Sequence, residues 1–558
     1  MKYDLCIRGG LVVDPANRAE PGVGDVWIAA GRVVAAPDDP GERAARTIDA
    51  RGHVVMPGGV DVHCHIAGSK VNAARGMRPE EHEGRAFGNG PGMRTGTVGC
   101  TPSTFATGYL YAGLGYTTAL DAAIPPLGAR HAHHEFADTP LIDKAFLVLM
   151  GNNHFLMDRI GEGRADKVRD ALAWLLGAAR GYGVKVVNPG GVERWKQGAN
   201  NVFTIDDPVD PFGVTPRDIL TGLARAVDEL GLPHPMHLHG LNLGIPGNAA
   251  TTLETLGALD GHRVHLAHVQ FHSYGPAEPK TNLFASRVAE LAEFVNTHSG
   301  VTADVGQVVF GETTSMTSDG AVGHFLSRLT GRKWVNVDVE METGCGVVPI
   351  TYAEKNQVHA LQWAIGLEWF LRVDDPWRVA LSTDHPNGGS FLSYPQVIAL
   401  LMDRGRRDDV FKTLPEGVRR RTGLGELTRE YSLSEIAVIT RAGPARMLGL
   451  ADKGHLGPGA DGDVTVYATD DDKERMFALP RYVVKAGAVV VEAGEVRSSA
   501  VARTLHTAPG YDPAIVAEIG DWFARDYTVQ FANYPVTPDD VSNPLECPTG
   551  RGGEGGVR

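Results

Sequence analysis

The chain has 558 residues, is 43% hydrophobic and 22% charged, and carries a formal net charge of -14. This composition excludes disorder, collagen-like and coiled-coil architectures for the bulk, and an acidic balance without a Lys/Arg-rich stripe excludes nucleic acid or an anionic membrane as the main partner. Five cysteines (Cys6, Cys64, Cys100, Cys345 and Cys547), with no pair at CxxC spacing, exclude a disulfide framework and a thiolate-held zinc or iron–sulfur centre.

MKYDLCIRGG lacks the apolar region of a signal peptide, and no apolar run reaches the roughly 18 residues of a membrane span, so a soluble, cytoplasmic protein is expected. Residues 1–57 read as short strands broken by turns, DLCIRGGLVVDP, GDVWIAAGRVVAA and TIDARGHVVMPG, too few to close a core alone. Over residues 58–450 apolar strands alternate with amphipathic helices, the pattern of a parallel α/β fold. Between Asp166 and Arg180, Val168, Leu172, Leu175, Leu176 and Ala179 recur at helical spacing. A second helix is predicted with Thr215 as N-cap, Pro216 at the first position and Gly231 as its stop.

The candidate barrel strands are GVDVHCH, YTTALDAAI, AFLVLMGNN, GVKVVNP, PHPMHLHG, RVHLAHVQ, one from Thr302 to Val309 or from Trp334 to Val339, and WRVALSTDHP. Eight such units predict a TIM-type (β/α)8 barrel. Gly311 to Pro349 is too long for an ordinary βα loop and is expected to be a lid or an inserted hairpin. Strand patterning returns in residues 451–500, which are expected to complete a small β-domain begun by residues 1–57. Residues 501–558 form a C-terminal extension ending in a flexible tail, PTGRGGEGGVR.

The strongest chemical signal is His63-Cys64-His65 at the end of the first barrel strand. Residues two apart in a strand point the same way, so both imidazoles can face the C-terminal mouth, where barrel enzymes keep their active sites, while Cys64 points into packing. Further candidate ligands end later strands: His237 and His239, His265 and His268, and Asp384. Nitrogen and carboxylate donors without thiolate suit zinc. Lys185 interrupts an apolar strand, where desolvation lowers an amine's pKa and frees its neutral form. A neutral amine can take up carbon dioxide, giving a carbamate able to bridge two cations; pairing with a barrel carboxylate is the alternative.

TIDARGHVVMPGGVDVHCH, Lys185, histidines on strands five and six and Asp384 together resemble the amidohydrolase superfamily, whose members combine a (β/α)8 barrel with a β-domain built from both termini. More closely, HIAGSKVNAARGMRPEEH, LMGNNHF, HLHGLNLG, HLAHVQFHSYG and LSTDHPNGGSF resemble the A-subunit family of formylmethanofuran dehydrogenases and bacterial formyltransferase/hydrolase complexes. That resemblance implies a two-zinc hydrolase converting N-formylmethanofuran to formate and methanofuran, or the reverse, within a multisubunit complex of one-carbon metabolism. It implies one zinc on His63 and His65, a second on His239 and His268, carboxylated Lys185 (N6-carboxylysine) between them, and Asp384 as both ligand and proton shuttle. His237 and His265 stand as alternative ligands or supporting residues.

Lys70, Arg75 and Arg78 are candidates for binding acidic parts of a methanofuran-type coenzyme, or for ordinary salt bridges. Asn242, His385 and Asn387 sit beside proposed ligands as supporting or substrate-contacting residues. The competing readings are a hydantoinase, dihydroorotase or N-acyl-amino-acid deacylase sharing the metal site, and a scaffold subunit without catalysis.

Overall fold

The computed structural model describes residues 2–550 apart from 19, 40, 89, 91, 200, 201, 282, 338–344, 498, 499, 501 and 528. Eight parallel strands form a central ring: β1 (Gly59–Cys64), β2 (Tyr116–Ile124), β3 (Asp143–Leu149), β4 (Gly183–Val187), β5 (Met236–His239), β6 (Val264–Leu266), β7 (Val301–Asp304) and β8 (Val379–Ala380). Each pairs with the next, and a parallel bridge from Cys64 to His385 joins β1 to the chain just past β8. This is a TIM-type barrel. Its strands read as continuous apolar runs because both faces are covered: every residue of β2 and β3 is buried. The seventh strand is the Thr302 candidate, whereas Val335–Val337 belongs to an insertion.

Four helices matter for the site or for the argument: α1 (Ser69–Met77), α2 (Ala165–Ala179), α3 (Pro216–Glu229) and α4 (Gly320–Thr330). Helix α2 buries Val168, Leu172, Leu175, Leu176 and Ala179, and each fully buried leucine contributes about 1.5–3 kcal/mol. At the start of α3, Thr215 and Asp218 form a reciprocal capping box ahead of Pro216, and the chain leaves through Gly231 at φ 60°.

The long segment after β7 is an inserted antiparallel sheet. Gly311–Thr317 pairs with Cys345–Tyr352, which also carries Val335–Val337 on its other edge. Helix α4 lies in the connection, seated so close that a Cβ on Gly323 would stand 2.3 Å from Gly346 Cα.

The two ends of the chain share a second sheet. Strands Tyr3–Val12, Gly22–Ala29, Arg32–Val34, Ala44–Asp49 and His53–Pro57 continue into Val464–Ala468, Tyr482–Lys485, Ala488–Glu492 and Glu495–Val496. Leu5, Ile7, Ile28 and Val55 from one end pack against Val464, Val466 and Val484 from the other. Beyond it, Thr504–Thr507 joins the start of β3 and carries Pro544–Cys547 in parallel. The flexible tail expected at the C-terminus falls, for residues 551–558, outside the described residues.

A buried ionic cluster ties these parts together. Asp143, the first residue of β3, lies 2.7 Å from Lys453, 2.9 Å from Lys485 and 2.7 Å from Arg503. Asp463 lies 3.1 Å from Lys453 and 2.8 Å from Lys485, and Asp461 lies 2.9 Å from Lys453. Three carboxylates thus meet three cations drawn from the barrel, the composite sheet and the extension. Removing one member leaves an uncompensated buried charge, so Asp143→Ala is expected to lower unfolding free energy by about 3–5 kcal/mol, read by chemical denaturation.

Candidate metal centre

The barrel register stacks the chemistry in layers. Lys185 on β4 is level with His237 on β5, which is level with His265 on β6. His239 is one inward position nearer the mouth, level with Val187. His63 and His65 end β1, and His268 and Asp384 lie just beyond β6 and β8, both in the left-handed region at φ 35° and 51°. Such backbone costs about 1–3 kcal/mol at a non-glycine residue and persists only where the surroundings enforce it. At His268 one enforcing element is Gly306, itself at φ 64°, whose hypothetical Cβ would stand 2.4 Å from His268 Cβ.

Asp384 Oδ1 is the meeting point at the mouth. It lies 3.0 Å from His63 Nε2 and 3.0 Å from His65 Nε2, yet none of these three atoms belongs to a well-formed hydrogen bond at the carboxylate oxygen. His63, His268 and Asp384 offer donor atoms within 4.8 Å of one another. Burial would raise the Asp384 carboxyl, but His63, His268 and His65 outweigh it and hold the group well below the usual carboxylate range. The rings of His239 and His268 meet edge to face at 4.7 Å, and burial lowers both, keeping them neutral and able to donate lone pairs.

Lys185 is 1% exposed, and its Nζ has no hydrogen-bond partner among the described residues. Burial brings its pKa down to about 7 against the pull of Asp304 and Asp384. An amine orphaned in this way fits a carbamate bridge better than a simple ion pair, and the oxygen and imidazole donors around it fit divalent zinc.

His237 and His265 lie deeper. His237 Nδ1 meets His234 Nε2 at 3.0 Å and His237 Nε2 meets His63 Nδ1 at 3.1 Å, while His265 lies between Thr302 and Asp304. Cys64 is buried and donates to Leu120 O at 3.3 Å.

The weaker candidates all bond within the chain, and for Arg75 and Arg78 the salt-bridge alternative is the one observed. Lys70 is buried, with Nζ 2.6 Å from Ala123 O. Arg75 pairs with Glu135 at 2.9 Å, and Arg78 with Glu81 at 2.6 Å and Glu312 at 2.7 Å, tying α1 to the insertion. Asn242 bonds Phe203 N and O, and His385 Nδ1 accepts from Phe391 N at 3.3 Å. Asn387 Oδ1 accepts from Met316 N, so it pins the inserted sheet. Apart from Glu81 and Phe391, these partners lie far along the chain, where the local run of sequence carries no sign of them.

Several site residues escaped the sequence reading. Asp304 Oδ2 accepts from His63 Nδ1 at 2.9 Å; Asp121 Oδ2 accepts from the backbone of Ile66 at 2.7 Å and Ala67 at 3.0 Å. Asp319 on the insertion lies 3.5 Å from His239 Nε2, and His272 stacks on His268 with centroids 5.5 Å apart. Asp121 and Asp304 carry the same signal as Lys185, a charge inside an apolar strand.

Residues 46–491 match the family model described as the amidohydrolase family. The chain belongs to that family. It is 44% identical to protein FwdA of Methanocaldococcus jannaschii over 563 residues, 97% of this chain and 98% of that protein. It is also 44% identical to the A-subunit of the formyltransferase/hydrolase complex Fhc of Methylorubrum extorquens over 503 residues, 88% of each. The crystal structure of the FhcABCD complex from that bacterium with methylofuran contains a chain that superposes with TM-score 0.91 at 39% identity, covering 98% and 99% of the two chains. N-acyl-D-glutamate deacylase of Bordetella bronchiseptica shares the fold at TM-score 0.50 and 16% identity.

Because His268 packs directly on Gly306, Gly306→Ala is expected to displace the imidazole. The folded variant should retain less zinc than the parent after dialysis, measured by elemental analysis at matched protein concentration.

Proposed function

We propose that this chain is the hydrolytic subunit of a cytoplasmic formyltransferase/hydrolase-type complex, cleaving N-formylmethanofuran to formate and the free amine, or running the reverse. The near full-length identity to FwdA and to the Fhc A-subunit supports the reaction and the partner subunits. The observation that carries the substrate reading is the cavity above Asp384. About 130 Å³ in volume, it has His268, Asp384 and Asn387 among its lining and walls that include Phe271, Phe325, Leu326 and Ile350. No lysine or arginine lines it among the described residues, so it suits the uncharged arm beside a formamide rather than the carboxylate of an N-acyl amino acid.

His63 and His65 would hold one zinc and His239 and His268 the other, with Lys185 between them as its carbamate and Asp384 completing the first site. Bound there, two zinc ions polarise a carbonyl oxygen and lower the pKa of water toward neutrality. Lys185 enters as its neutral amine, which burial makes available near pH 7: Nζ attacks carbon dioxide, a C–N bond forms and a proton is released. Asp384 Oδ1, at the convergence of the mouth donors, takes the proton of the attacking water and delivers it to the departing nitrogen. Without that delivery the tetrahedral adduct expels water rather than amine. The apolar walls exclude bulk water and fix the formamide carbon over Asp384.

The test is formate release from N-formylmethanofuran, or from N-formylfurfurylamine, by the zinc-loaded chain with its co-purifying subunits. Lys185→Ala and Asp384→Asn should each lower turnover by about 10²–10⁴-fold. Metal-free protein should regain activity with zinc plus bicarbonate and lag in carbon dioxide-free buffer. Preference for N-formyl amino acids over the furfuryl amide would replace this reading with the deacylase one.

A further inference from the structure

Asp304 takes no part in the reaction above, yet it accepts three hydrogen bonds directly beneath the metal residues. Its Oδ2 accepts from His63 Nδ1 at 2.9 Å and His265 Nε2 at 3.2 Å, and its Oδ1 accepts from the backbone N of His268 at 3.0 Å. With three donors on two oxygens and no exposure, it is spent as a hydrogen-bond acceptor.

The protons in this layer can be assigned from one fixed end. Met447 O can only accept, so His234 Nδ1, 2.8 Å away, carries a proton. A neutral His234 then accepts at Nε2, which places a proton on His237 Nδ1, 3.0 Å away. His237 in turn accepts at Nε2, which faces His63 Nδ1 at 3.1 Å. Two acceptors, His237 Nε2 and Asp304 Oδ2, thus converge on His63 Nδ1. A proton there satisfies both, and the opposite tautomer would set three lone-pair atoms against one another. On the far side, His265 donates from Nε2 to Asp304 and accepts at Nδ1 from the Thr302 hydroxyl at 2.9 Å. This assignment leaves every ring neutral, and every ring nitrogen in the layer except His63 Nε2 has a hydrogen-bond partner.

We propose that Asp304 is a positioning residue that fixes His63 as its Nδ1–H tautomer, leaving the Nε2 lone pair aimed at Asp384 Oδ1 as a metal donor, and that anchors the His268 turn through its backbone. This rests on the metal-centre reading above. It also accounts for the 3.0 Å approach of His63 Nε2 to Asp384 Oδ1. With the ring proton on Nδ1, two lone pairs face each other there, an arrangement that a shared cation makes favourable.

The experiment uses the full-length chain with its co-purifying subunits, loaded with zinc or cobalt. Metal loss to a chelator and the cobalt visible spectrum are followed alongside thermal unfolding. Asp304→Asn is expected to weaken metal retention by about 10–100-fold and to shift the cobalt bands. Thr302→Val perturbs the same layer without touching His63 and should lower stability while keeping the metal and the spectrum. Asp304→Asn with parental retention and spectrum would overturn the proposal, as would equal metal loss from Thr302→Val. Should Asp304→Asn fail to fold, proton NMR of the cobalt-loaded parent decides. A slowly exchanging, cobalt-shifted imidazole N–H of His63, absent in deuterated solvent and in His63→Ala, is expected, and its absence in the parent would overturn the assignment. A parent that binds no metal would overturn the metal-centre reading as well.

Discussion

An amine sealed inside a barrel sets the terms for everything around it. Lys185 Nζ is buried and has no hydrogen-bond partner among the described residues, so its charged form is costly and its pKa is drawn toward neutrality. The same interior holds Asp304 and Asp384 as carboxylates, because the neighbouring imidazoles stabilise them more than burial penalises them. Two buried carboxylates, an amine drawn toward neutrality and the lowered imidazoles of His239 and His268 make the mouth of the barrel rich in donor atoms.

Barrel geometry separates this chemistry from the work of holding the chain together. Strand ends at the C-terminal face carry His63, His65, His239, His268 and Asp384, while the opposite end of β3 begins at Asp143 in the ionic cluster with Lys453, Lys485 and Arg503. The composite sheet needs both chain ends to close its core, and the extension adds two strands beside β3. Arg441 reaches from the last barrel helices to Pro57 O, and Asp463 O accepts from Gly58 N, so the start of β1 is fixed from both sides. The position of the His63–His65 pair thus depends on contacts made at the far end of the strand that carries it.

What the sequence makes legible follows the range of the underlying physics. Strand periodicity is local, so His63 and His65 could be placed on one face, and the eight apolar runs could be ordered into a barrel. The helix signals at Thr215, Pro216 and Gly231 are local too, and the capping box forms where they predict it. Side-chain partnerships are not local. Arg78 meets Glu312, and Asn387 meets Met316, across stretches that no window of sequence spans. The alternatives open for these residues, substrate contact or an internal partner, are settled only by contacts out of view in the sequence. Asp304 lies between the two cases. An aspartate inside an apolar strand was visible, and the test applied to Lys185 would have singled it out, but its histidine partners come from β1 and β6.

The insertion after β7 couples the wall of the cavity to the residues of the candidate metal centre. Phe325 and Leu326 of α4 and Ile350 of the inserted sheet wall the cavity. The same sheet is fastened to the loop that follows Asp384: Met316 N donates to Asn387 Oδ1, the Tyr352 hydroxyl donates to Asn387 O at 3.1 Å, and the Thr313 hydroxyl donates to Pro386 O. At the head of α4, Asp319 caps the helix through Val322 N and also stands 3.5 Å from His239 Nε2. Any change that moves the cavity wall therefore pulls on the backbone beside Asp384 and on the carboxylate behind His239. Carbon contacts are weak individually and have no preferred direction, so an apolar pocket gains selectivity only when its wall is held rigidly. Fastening that wall to the candidate metal residues supplies the rigidity, and it holds the cavity and Asp384 in register on one framework.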